Sequence, residues 1–304
     1  DSDAFLRYAT MEIDGALHSL TRSLAVAMYR DGTGSIAQSE DNPDGSYANL
    51  TLINKEDVTN FEVGMEVAFY ADSSGKPGAD RGQNRIIQSI DRSATTKQIT
   101  FTANIHVDVA YTDHLVQAGD VNAKVTGLEG WCPTSAPAAT AFFGVDRTAD
   151  STRLGGSRFD GSALPIEEAL IGGASQVGRE GGSPDVCMVD FATFSNLEKA
   201  LGSKVVYDEA KARDVDLGFA AISIRGPRGT IKIVPDQNCQ PDVAWMLQLD
   251  TWSLNTLGEA PMFLDLDNNR MLRESAADAY EVRLGYYGNV ACNAPGYNCR
   301  IALA

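Results

Sequence analysis

Ile13, Leu17, Leu20, Leu24 and Met28 recur at steps of four, three, four and four, which places them on one face of a helix. The spacing predicts a long amphipathic helix of about 25 residues, with Ser2 or Asp3 as its cap and Asp31-Gly32-Thr33-Gly34 as its stop. Its opposite face carries Arg22, Ser23 and Arg30, as expected of a rib laid across a sheet or a neighbouring subunit. Residues 38–45 then read as a polar, turn-rich linker.

From residue 50 to about 125 the period changes. Short alternating or apolar runs at 50–54, 66–71, 85–91, 98–102 and 115–118 are separated by turn strings such as Ser-Ser-Gly-Lys-Pro-Gly. Such spacing predicts a small barrel or sandwich with its own core. A Gly- and Pro-containing stretch, 127–137, leads into a second region. There Pro165 opens a helix bearing Ile166, Ala169, Leu170, Ala174 and Val177, and Gly181-Gly182-Ser183-Pro184 ends it. Residues 186–189 read as a buried strand, followed by a helix with Phe194, Leu197 and Leu201 and by strands at 222–224 and 231–234. Near the C-terminus Tyr280, Val282, Leu284 and Tyr286 alternate with Glu281, Arg283 and Gly285, a strand pattern.

Composition narrows the classes. The 304 residues include 25 Lys and Arg against 41 Asp and Glu, a net charge of −16. That balance argues against gripping nucleic acid or an anionic membrane through the bulk surface. A hydrophobic share of 43% supplies a packed core and excludes a disordered tail. Length suggests about two domains, or one with an insertion. No apolar run approaches the roughly 20 residues of a membrane span, and no signal peptide is read. The chain begins with Asp1, so processing, trimming or an incompletely represented N-terminus is expected.

Candidate chemistry is sparse. Cys132, Cys187, Cys239, Cys292 and Cys299 form no CxxC pair, and their odd count predicts reduced structural thiols in a cytoplasmic setting. The alternative is a small loop disulfide between Cys292 and Cys299. His18, His106 and His114 lack the short ligand spacings of a zinc site. Gly32-Thr33-Gly34-Ser35-Ile36-Ala37 fits GxGxxA but follows a helix, so it reads as a helix stop. The Asp265–Asn269 string starts like a calcium loop, yet Arg270 and Ala276 stand where Gly and Glu are needed. Gly155-Gly156-Ser157-Arg158-Phe159 lacks the last Gly of GxSxG, and no P-loop is present. Glu167 and Glu168 lie in a first helical turn, where the dipole favours them. No catalytic, cofactor-binding or metal residue is assigned, and no enzyme is expected. Trp131, Trp245 and Trp252 are expected as core or subunit-contact anchors. Arg22, Arg30 and Arg153 are candidates for pairing with carboxylates of neighbouring subunits.

A set of strings in a definite order resembles the major capsid proteins of tailed bacteriophages with the Hong Kong 97-like fold. IDGALHSLTRSLAVAMYRDGTGSI (13–36) looks like the spine helix and its exit turn. GLEGWCP (127–133) and FFGVDRTADSTRLGG (142–156) look like the link from a β-rich insertion to the peripheral domain. The passage 165–208 is similar to the entry into the axial domain, and 277–303 to the strands that return to the periphery. The resemblance implies an α+β fold with a long spine helix, peripheral and axial domains and a small all-β barrel-like insertion. It divides the chain into a spine helix (1–47), the insertion (48–126), a peripheral segment and helix (127–183), an axial domain (184–258) and returning peripheral strands (259–304). The family's N-terminal arm and extended loop precede the spine helix, yet few residues precede Ile13. That portion has been removed or left out, or the protein lacks it.

The function implied is self-assembly into the icosahedral head shell of a tailed double-stranded DNA phage. Partners would be copies of this chain in pentamers and hexamers, with scaffolding, portal and decoration proteins as optional additions. No cofactor, sequence-specific nucleic-acid contact or membrane is implied, and the place is the virion, assembled in the host cytoplasm. An encapsulin-type bacterial nanocompartment shell is the alternative, although encapsulins normally lack a barrel insertion. An acidic wall suits a container of DNA, since it does not immobilise that acidic content.

Overall fold

The computed structural model describes residues 2–93, 96–201, 222–259, 261–265, 271–274 and 280–303. Helix α1 spans Ser2–Ala27. Its apolar stripe is only half-buried at Ile13, Leu17, Leu20 and Leu24, and burial becomes complete at Val26, Ala27 and Tyr29. The helix is therefore anchored at its C-terminal end.

A seven-stranded sheet follows, from β1 (Ser35–Gln38), β2 (Asn49–Thr51), β3 (Glu66–Asp72), β4 (Pro77–Asp80), β5 (Arg85–Asp91), β6 (Gln98–Phe101) and β7 (His114–Gln117). The strand order is β1-β7-β3-β5-β6-β2, with β4 on β3 and every pair antiparallel. The two ends of this path meet: Ser39 bridges Leu52, Glu40 N–H donates to Thr51 O (3.0 Å) and Ile53 N–H donates to Gln38 O (3.0 Å). Leu50, Leu52, Phe61, Phe69, Ile87, Ile99, Phe101 and Leu115 fill the interior, and the Phe69 and Phe101 rings meet edge to face at 5.6 Å. Two departures from the sequence reading belong here. Residues 35–38 are a strand, where a helix stop followed by a polar linker was expected, because Ala37 faces the core and the flanking polar side chains find partners. β4 lies in the string read as a turn. Its end is held by Arg81, whose Nε and Nη2 donate to the buried Asp113 carboxylate at 2.8 and 3.1 Å.

Helix α2 (Leu128–Trp131) leads to β8 (Ser157–Asp160), α3 (Ile166–Glu180), β9 (Val186–Val189), α4 (Phe191–Leu201), β10 (Ile222–Gly226), β11 (Gly229–Pro235) and β12 (Val243–Leu247). The expected boundaries of α3 hold: Pro165 precedes it and Gly181, at φ 99°, ends it. A long two-stranded ribbon follows, pairing β13 (Trp252–Thr256) with β18 (Gly288–Cys292), β14 (Met262–Phe263) with β17 (Leu284–Gly285), and β15 (Met271–Arg273) with β16 (Tyr280–Val282). β19 (Cys299–Ala302) then returns to a mixed six-stranded sheet of order β10-β11-β9-β12-β19-β8.

β12 explains how this sheet is buried on both faces. Ala244 and Met246 join the core under α3 and α4, with Leu170, Val177, Leu197 and Ile301. Val243, Trp245 and Leu247 face the other way, against Tyr29, Leu128 and Cys132. A run apolar on both faces is what two-sided burial requires. Close approach of α3 is permitted by Gly173, where a Cβ would collide with the Ile301 side chain. The chain is thus a mixed α+β protein with a buried core in each sheet region.

Asn298, fully buried, ties the base of the ribbon to the sheet. Its Oδ1 accepts from Gln248 N (2.9 Å) and Trp252 Nε1 (2.8 Å), and its Nδ2 donates to Thr251 Oγ1 (3.1 Å) and Ala294 O (3.0 Å). Asn298→Ala leaves two partly buried donors, Gln248 N–H and Trp252 Nε1, without their acceptor, at about 1–3 kcal/mol in all. Denaturant unfolding of the variant is expected to show a loss of stability of that order, with the folded far-UV spectrum retained.

Candidate functional site

The residues that close α1 lie where the two sheet regions meet. Asp31 Oδ1 accepts from Thr33 N (3.0 Å) and Thr33 Oγ1 (2.5 Å), turning the chain. Gly34, at φ 87°, then passes so close to the Asp120 carbonyl that a Cβ would sit 2.5 Å from it. Within this turn successive side chains reach opposite ways. Tyr29 Oη donates to Asp236 Oδ2 at 2.7 Å, beyond β11. Burial, then the hydrogen bond and charge of Asp236, push the phenol far above its ordinary range, so it stays a donor. Arg30 Nη2 donates to Asp57 Oδ1 at 2.7 Å, in the 3-10 turn Lys55–Asn60 below the seven-stranded sheet. Burial alone would lower the Arg30 pKa; the Asp57 and Glu129 charges more than offset it. Glu129, on α2, accepts from Gln240 Nε2 at 2.7 Å.

A cleft of about 220 Å³ runs between the two regions beside this junction, with Arg22, Glu56 and Asn60 on one wall and Asp190, Asn238 and Pro241 on the other. Asp190 caps α4, accepting from Ala192 N (2.9 Å) and Thr193 N (3.2 Å). Its carboxylate is therefore used structurally.

A second cluster escaped motif reading because its members lie far apart in sequence. His114, buried in β7, bridges Ser35 Oγ at Nδ1 (2.8 Å) and Asp72 Oδ1 at Nε2 (3.0 Å). An ionised carboxylate only accepts, so Nε2 carries the proton toward Asp72 and Nδ1 accepts from the Ser35 hydroxyl. The Gln38 amide lies beside Nε2 at 3.4 Å and donates to Thr112 O at 3.0 Å. These contacts stitch β1, β7 and β3 together, and no local pattern in the sequence marks them.

The three candidate contact arginines each have a carboxylate of their own chain within 4 Å. Arg22 pairs with Glu62 at 3.0 Å and Arg30 with Asp57 at 2.7 Å, both within the chain. Arg153 lies 3.9 Å from both Asp150 and Glu180. Arg30 and Asp57 side chains are 16% and 4% exposed, so that pair is internal and not a surface left for a neighbour. Trp245 is fully buried; Trp131 Nε1 donates to Val290 O (2.9 Å) and Trp252 to Asn298. All five cysteines are buried free thiols, so Cys292 and Cys299 are not joined. Burial pushes the Cys187 and Cys299 thiols up to about 12. The Ser157 of the near-GxSxG string is buried in β8, donating to Gly296 O at 3.1 Å. The calcium-like string falls largely outside the described residues. Among the described residues no group of three or more His, Cys, Asp or Glu could hold a metal ion, and no helix is long and apolar enough to cross a membrane.

The profile of the SU10 major capsid protein family matches residues 83–273, from the seven-stranded sheet to the ribbon. The chain belongs to that family. Among solved structures it is similar to a chain of the Cyanophage A-1(L) capsid asymmetric unit, with 14% identity and a TM-score of 0.36, over 61% of this chain and 57% of that chain. No curated protein matches.

The junction predicts opposite outcomes for two charge reversals. Arg30→Glu breaks a buried pair and is expected to cost about 3–5 kcal/mol in denaturant unfolding, whereas Arg153→Glu stays within about 0.5 kcal/mol. Thiol labelling at pH 8 is expected to leave the folded protein unmodified and to modify all five cysteines after unfolding.

Proposed function

We propose that this chain is the wall subunit of a tailed-phage head, a structural protein that assembles with copies of itself into a closed shell around the genome. The observation that carries this reading is its membership of a major capsid protein family, matched over residues 83–273. A structural family also favours a non-catalytic role. The encapsulin alternative finds no support in the family matched.

Within this reading the fold is Hong Kong 97-like. α1 is the spine, residues 48–126 are a barrel-like insertion whose six strands are joined by β1 from before it, residues 184–258 form the axial domain, and 127–183 with 259–304 form the periphery. The meeting of β1 and β2 at Ser39 and Leu52 supports a barrel, and the half-buried stripe of α1 suits a rib that gains cover in an assembly. The subunit would act in pentamers and hexamers, with scaffolding, portal and decoration proteins as further partners, in a virion assembled in the host cytoplasm. A net charge of −16 keeps such a wall from holding DNA tightly.

Electron microscopy of the purified protein, taken through a range of salt and crowding conditions, is expected to show closed, uniform shells. A monodisperse small oligomer under every condition would contradict the proposal.

A further inference from the structure

The β10–β11 hairpin, at one edge of the six-stranded sheet, is covered on one face and bare on the other. Ile222, Ile231 and Ile233 point into the core under α3 and α4, and Ile224 packs against it. Strand alternation turns Ser223, Arg225, Thr230 and Lys232 the opposite way, and all four are exposed. The packing that covers that same side of β12 extends to Met188 on β9 and includes no residue of β10 or β11.

The bare face is basic in a chain that is strongly acidic. Residues 222–235 contain Arg225, Arg228 and Lys232 and no Asp or Glu, against a net charge of −16 for the whole chain. Arg22, Arg30, Arg81 and Lys124 each pair with a carboxylate of the chain. Among the described residues no ion pair involves Arg225, Arg228 or Lys232. Arg228, in the turn, donates through Nη1 to Gly181 O at 2.8 Å, which holds it at the end of the hairpin.

The register gives this charge a pattern. Lys232 stands opposite Ser223, and Arg225 opposite Thr230, so each cation sits beside a hydroxyl. The two cations are diagonal neighbours, an arrangement that repels until an anion lies against both. Successive positions on one face of a strand are about 6.7 Å apart, the order of the spacing between adjacent phosphates along one nucleic-acid strand. Cations with flanking hydroxyls are the groups that hold phosphate oxygens.

We propose that the outer face of the β10–β11 hairpin contacts the phosphate backbone of double-stranded DNA without reading its sequence. A second copy of this chain offers carboxylates mixed with cations, whereas a backbone offers an evenly spaced row of anions alone. The remainder of the chain repels DNA, so the contact is local, and three cations make it weak and readily released by salt. Its place on the side that meets an enclosed genome rests on the shell reading above.

The test follows the fluorescence anisotropy of a labelled DNA duplex of about 20 base pairs titrated with the unaltered chain. Three phosphate contacts predict that affinity falls about fortyfold between about 50 and 200 mM salt. Arg225→Gln combined with Lys232→Gln, both exposed, is expected to weaken binding about tenfold at the lower salt and to cut the salt dependence to about threefold. Lys55→Gln combined with Lys76→Gln removes the same charge from exposed positions of the seven-stranded sheet region and is expected to leave affinity within about twofold. No binding at the lower salt, an equal loss in both double variants, or an unaltered affinity in the hairpin variant would overturn the contact. Lost shell yield in the hairpin variant with duplex binding unaltered would overturn it in favour of a contact between copies. A chain that binds the duplex as expected but forms no shell would overturn the shell reading and leave the phosphate contact standing.

Discussion

The structure depends on what happens in three residues at the end of α1. Tyr29 is committed to Asp236 at the six-stranded sheet, Arg30 to Asp57 beneath the seven-stranded one, and Asp31 to the turn that starts β1. A buried ion pair gains little net stability, because removing both charges from water nearly cancels their attraction. Breaking one partner is expensive, however, since the other is then left buried and alone. The junction therefore acts as a geometric constraint: it fixes the angle at which two separately packed regions leave the helix.

That constraint suits a lattice subunit. Each region has its own filled core. Their relative placement is set by short, directional contacts around Arg30, Glu129 and Gln240, beside an open cleft. The N-terminal stretch of α1 and the two-stranded ribbon, by contrast, keep much apolar surface in water: Met11, Leu254, Leu257 and Tyr280 are all exposed. A two-stranded ribbon is marginal alone and gains from a partner surface. Rigid joints inside and unfinished surfaces outside are what assembly of many identical copies calls for.

Much of the fold was legible in the sequence where one physical signal dominated. The 3.6 period of α1, the Pro165 and Gly181 that bracket α3, and the strand β5 at Arg85–Asp91 were all readable locally. Less legible were elements whose stabilisation is remote. β12, Val243–Leu247, is apolar on both faces and so shows no alternation to mark it. β1 and β4 are short and polar, and owe their place to partners such as His114 and Asp113 far along the chain. The Asp57 partner of Arg30 is likewise 27 positions along the chain, and only the fold brings the two within reach. The family resemblance was carried by the order of strings, which survives where single motifs are absent.

The central claim is that the end of α1 couples the two sheet regions into one cooperative unit. Differential scanning calorimetry of Tyr29→Phe combined with Arg30→Met and Asp57→Leu tests it directly. These changes remove the directional contacts while keeping apolar bulk, so each core should survive. The account predicts one transition for the unaltered chain and two separated transitions for the triple variant. A single, unshifted transition in both would contradict it.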